Sequence, residues 1–189
     1  MDLVPTPSQT VGPFFHLGFK ATFDGSLARP DAKGERVRMI CRIFDGDGVP
    51  VPDAMIELWQ ANAEGKYHHP DDLQAKSLDP GFRGFGRLAT TEDGSCIFET
   101  IKPGRVPGWR DTLQAPHINV SVFARGILKR LATRIYFSGD PANHEDSVLA
   151  LAPTDRRDTL MARSDAGHPG TWLFEIHLCG ERETVFFDI

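Results

Sequence analysis

At 189 residues, 40% of them hydrophobic, the chain is sized for one domain. Folding at that length removes roughly 70% of the unfolded chain's surface from water, so no metal or disulfide staple is needed. A net charge of −5 and a pI near 5.8, with no Lys/Arg-rich run, exclude a field that would gather nucleic acid or an anionic membrane.

Residues 1–36 carry many turn formers, among them Pro5, Pro7, Gly12, Pro13, Gly18 and Gly25, set between Phe14, Phe15, Leu17 and Phe19. This composition reads as an arm. A solvated tail would be poor in aromatics, so the arm is expected to lie against its own domain or a second chain. Asp2 and the early prolines leave no continuous apolar run at the start, which predicts no signal peptide, and no run of about eighteen apolar residues follows. Cys41, Cys96 and Cys179 are widely spaced, with no C-x-x-C pair, as suits a reducing cytoplasm. The expected location is cytoplasmic.

From residue 37 to 189 the pattern is all-β. Strands are expected over 37–44, 55–60, 86–91, 96–101, 117–124, 131–137, 172–178 and 184–187, with turns at Asp45-Gly46-Asp47-Gly48 and Glu92-Asp93-Gly94. Short strands at this spacing predict a β-sandwich core. One short helix is expected over 153–163, with Thr154 as its cap, Asp155 and Asp158 in the first turn, and Leu160 and Met161 as an apolar stripe. The connections 67–85 and 102–116 are longer than such a core requires, and long loops on a rigid scaffold are where sites are built.

The segment from Ala115 to Gly126 alternates: His117, Asn119, Ser121, Phe123 and Arg125 on one face, Ile118, Val120, Val122 and Ala124 on the other. A histidine two residues before a second ligand would suit a metal. The second position is Asn119, whose neutral amide is a poor ligand for a hard trivalent ion. His68 and His69 beside Asp71 and Asp72 read as solvated loop sequence, and His144, His168 and His177 have no partner at ligand spacing.

Four segments, Gly48 to Tyr67, Phe85 to Gly94, Ile101-Lys-Pro-Gly104 and Pro116-His-Ile-Asn119, resemble the intradiol ring-cleaving dioxygenases. The likeness runs from Pro7-Ser-Gln-Thr-Val-Gly-Pro-Phe14 to Glu183-Thr-Val-Phe-Phe-Asp188 and is to the α chains of the family's αβ assemblies. It implies a β-sandwich, Fe(III) as cofactor, and iron held by two tyrosines and two histidines. Tyr67 matches the first tyrosine and His117 the first histidine, but Val106 stands at the second tyrosine and Asn119 at the second histidine. The other tyrosine, Tyr136, reads as a strand residue, and Gln114 replaces the arginine that iron-bearing chains carry three residues before the first histidine. The expectation is a degenerate metal site, with no metal and no catalytic residue in this chain.

The resemblance then implies that Fe(III) is held by a homologous β chain, at a shared site where O2 cleaves protocatechuate to 3-carboxy-cis,cis-muconate. This chain is expected to shape that pocket. Arg125 matches an arginine facing the partner's site, where its fork could neutralise the substrate carboxylate, and Arg130 and Arg134 are near competitors. Pro13, after Gly12, matches the arm segment that packs on the substrate ring. Phe14, Phe15 and Trp59 read as core or interface. Two alternatives stay open: a self-sufficient dioxygenase whose site is rebuilt with His68, His69 or Asp71, and a non-enzymatic binding module.

Overall fold

Alternation makes the strands. In the first, β1 (Arg36–Phe44), Val37, Met39, Cys41 and Ile43 are buried while Arg36, Arg38 and Arg42 are exposed. The computed structural model describes residues 5–188, and in chain order β1 is followed by β2 (Met55–Trp59), β3 (Phe85–Ala89), β4 (Ser95–Ile101), β5 (His117–Phe123), β6 (Leu131–Phe137), β7 (Met161–Ser164) and β8 (Thr171–His177). They hydrogen-bond in the order β3-β2-β5-β6-β7-β8-β1-β4, all antiparallel except β1 with β8 and β6 with β7. Ile56, Leu58, Ile118 and Val120 from one limb join Met39, Ile43, Phe98 and Phe174 from the other in a single core. Each fully buried aliphatic or aromatic side chain there contributes roughly 1.5–3 kcal/mol.

The sheet is nearly closed into a barrel, and residues 24–28 span the gap between the edge strands β3 and β4. Asp24 exchanges backbone hydrogen bonds with Arg87 at 2.8 and 2.9 Å, the Leu27 N–H donates to Glu99 O at 2.9 Å, and the Glu99 N–H donates to Gly25 O at 2.8 Å. Leu27 is fully buried beneath them, so close to Gly86 that a Cβ there would meet its side chain. Pairing both edges removes the open strands that would otherwise invite another chain.

The all-β expectation holds, but one nearly closed sheet stands where two facing sheets were expected. The segment 184–187 is no strand; it makes a single bridge, Phe187 to Ala132, on the side of β6 that β7 leaves open there. The helix expected over 153–163 is a 3-10 stretch, Thr154–Leu160, with Pro153 rather than Thr154 at its N-cap position and no side-chain cap. Its last expected residues extend instead as β7, which fills the space between Phe137 and Leu173. An unexpected helix, α1 (Pro13–Phe19), forms in the arm, with Pro13 in its first turn, where a missing N–H costs nothing. Among the described residues no helix is long and apolar enough to cross a membrane.

Candidate functional site

The face of β2, β5 and β6 turned away from the core carries the polar side chains. Register sets Trp59, Asn119 and Arg134 in one row across the three strands, with His117 opposite Tyr136 two residues away. Two loops wall this face. In the first, the Asn62 side chain accepts from the N–H groups of Glu64 at 3.0 Å and Lys66 at 2.9 Å, and Asp72 Oδ2 accepts from the Tyr67 N–H at 2.8 Å. These bonds fix where Tyr67 projects. The second loop is stitched to the first where the Gly104 N–H donates to Asn62 O at 2.9 Å; Gly65 lies there at φ +78°, where a Cβ would collide with the Arg105 carbonyl. Between loops and strands lies a cavity of about 1470 Å³ lined by Tyr67, Val106, His117 and Asn119 together.

Within it the polar groups satisfy one another. His117 Nδ1 lies 2.8 Å from Ala115 O; a carbonyl only accepts, so Nδ1 carries the proton and Nε2 is a bare acceptor. Tyr67 OH lies 3.4 Å from that Nε2 and can donate to it, while Asn119 Nδ2 donates to Tyr67 OH at 3.2 Å and to Trp59 O at 3.3 Å. Burial, helped by the Arg134 charge, pushes the His117 pKa down to about 4, and burial raises that of Tyr67. The pair is therefore a neutral imidazole and a neutral phenol.

This donor set does not fit Fe(III). A ferric centre calls for several hard or borderline donors. Here Val106 offers none, Asn119 turns N–H groups inward, and the lone phenol and imidazole are engaged with each other. His68, His69 and Asp71 line the same cavity as exposed residues, His69 and Asp71 being 3.6 Å apart. Among the described residues, no three His, Cys, Asp or Glu side chains group as metal ligands.

Sequence reasoning did not single out Asp146. It is buried and accepts from the N–H groups of Ala115 at 2.6 Å, Val148 at 2.9 Å and Leu149 at 2.7 Å, and from Tyr136 OH at 3.1 Å. It thereby anchors the backbone that holds His117. Nothing in the local pattern marks it, since its partners lie up to 31 residues away. Tyr136 is a strand residue, as expected, and is fully buried, and Arg134 meets Gln114 Oε1 at 2.6 Å.

Arg125 lies elsewhere, just past the end of β5. It is exposed and, with Gly12, Phe15, His16 and Asp53, lines a separate cavity of about 430 Å³. The arm reaches it through a 2.7 Å bond from the Gly126 N–H to Thr10 Oγ1, a Phe15–Phe123 ring contact at 5.6 Å, and a 2.6 Å contact of His16 Nδ1 with Asp53. The side chain of Pro13 lies outside the described residues; its backbone opens α1.

A family model described as dioxygenase matches residues 12–178, and the chain is 44% identical to the protocatechuate 3,4-dioxygenase alpha chain of Burkholderia cepacia, over 99% of this chain and 98% of that relative. The chain belongs to the intradiol dioxygenase family. A beta chain of protocatechuate 3,4-dioxygenase from the same organism is also related, at 38% identity over 80% of this chain and 67% of that one. Among solved structures of the family, the dioxygenase domain of a dioxygenase–carbohydrate-binding fusion from Streptomyces sp. SirexAA-E superposes with a TM-score of 0.62 at 25% identity, covering 94% of this chain and 99% of that domain.

Proposed function

We propose that this chain is the iron-free α-type subunit of a protocatechuate 3,4-dioxygenase, shaping the active site of an iron-bearing β-type homologue. The carrying observation is the closed hydrogen-bond set of Tyr67, His117 and Asn119 beside Val106, in a chain similar along its whole length to an alpha chain. Fe(III), held by the partner, would supply the means of activating protocatechuate toward O2; this chain's contribution is position and charge. Arg125 suits the second role, because it is exposed and has no carboxylate within 4.0 Å among the described residues. Pro13, with the arm of residues 1–36 as an interface element, would pack on the substrate ring. Three free cysteines, two of them buried, are consistent with a cytoplasmic assembly.

The test is iron content and visible tyrosinate-to-iron absorption of the chain expressed alone and with an iron-bearing homologue. A colourless, inert lone chain and a coloured pair that cleaves protocatechuate is the expected result. Colour and activity in the lone chain would overturn the assignment.

A further inference from the structure

The Tyr67 cavity holds a guanidinium with no carboxylate within 4.0 Å among the described residues. Arg134 is half-buried in its wall, and its only hydrogen-bond partners among the described residues are neutral: Gln114 Oε1 at 2.6 Å and Tyr136 OH at 3.5 Å. Asp71 and Asp188, which line the same cavity, lie more than 4.0 Å from the Arg134 nitrogens, and the other acids nearby are committed. Glu57 is paired with Arg87, Asp72 holds the N–H groups of Tyr67 and Gln74 and lies 3.7 Å from Lys66, and Asp146 is saturated behind Tyr136. A cation partly withdrawn from water gains most from an anion that can bond to its fork, and a carboxylate has that geometry.

The rest of the wall supplies an aromatic surface. Trp59 and Tyr67 lie with ring centroids 4.8 Å apart, and Trp59 is 41% exposed, so its indole is open to a ligand. Asn119, between Trp59 and Arg134 in the strand row, adds an amide near the middle. At about 1470 Å³ the space exceeds the roughly 300–1,000 Å³ of ordinary ligand pockets.

We infer that this cavity is a metal-independent binding site for an aromatic monocarboxylate, with the carboxylate on Arg134 and the ring against Trp59 and Tyr67. Its lining residues all come from this chain, and Arg125 is not among them. It stands independently of the proposed subunit role, since it invokes neither iron nor a partner.

The experiment is isothermal titration of the full chain with benzoate, phenol and acetate, then of Arg134→Gln and Arg134→Lys. Benzoate is expected to bind at least tenfold more tightly than phenol or acetate. Arg134→Gln should remove that preference over phenol, and Arg134→Lys should restore part of it. Equal affinities for benzoate and phenol in the unmodified chain would overturn the inference with no variant needed. So would an unchanged benzoate affinity in an Arg134→Gln protein that melts cooperatively. Iron content and colour decide the subunit proposal, so either idea can fail without the other.

Discussion

The two ends of β5 treat their polar groups in opposite ways. At the His117 end, imidazole, phenol and amide close a hydrogen-bond set on themselves, braced from behind by a buried Asp146. At the Arg125 end, the guanidinium is exposed and unpaired among the described residues, beside an arm that turns Phe14, 83% exposed, outward. A buried polar group without a partner costs roughly 1–3 kcal/mol, so Tyr67, His117 and Asn119 gain by satisfying one another. An exposed group carries no such penalty and can wait for a second chain.

The strongest way to break this comparison is to restore the missing donors. Val106→Tyr combined with Asn119→His should give the lone chain bound ferric iron with visible tyrosinate absorption, read by metal analysis and spectrum. A colourless product would mean that more than these donors separates this chain from an iron-bearing one. Next in size is the brace. Asp146→Ala leaves several buried donors unsatisfied and should cost about 4 kcal/mol in urea unfolding.

The His117 end should also impose a pH signature. Its folded pKa is about 4 against an ordinary 6.5, so between these values the unfolded chain binds a proton that the folded chain refuses. The stabilising contribution is therefore fully present above pH 6.5 and is lost as the pH falls to about 4, by up to about 3 kcal/mol. His117→Gln should flatten that slope in pH-dependent urea melts. The smallest effect belongs to the other end. Arg125→Ala should change the lone chain's stability by under about 0.5 kcal/mol, yet in the assembled enzyme weaken protocatechuate about tenfold more than catechol. Equal losses for both substrates would count against Arg125 as the carboxylate's partner.

Strand positions were largely legible because period-2 burial is a local signal: 117–124 and 131–137 agree with β5 and β6 to within a residue. The misses lie where pairing decides conformation. Met161, half of the apolar stripe expected of a helix, extends instead with Ala162 because Tyr136 and Phe137 offer an unpaired edge. Leu27 looks like part of a loose arm, yet it seals the barrel seam. The lack of good metal ligands at Val106 and Asn119 was readable from residue type, whereas the lack of a carboxylate partner for Arg134 among the described residues was not, since it depends on where Gln114, Tyr136 and Asp146 come to lie.

By itself the sequence determined which side chains exist at the four matched positions and which faces of β5 they share, because covalent identity and alternation are local. It also determined the family, through segments spread over the whole chain. Only the tertiary structure decided that Tyr67 OH meets His117 Nε2, 50 residues away in sequence, that Asn119 completes the set, and that residues 24–28 join β3 to β4. These are long-range pairings, fixed by strand register and loop closure, and no local propensity encodes them.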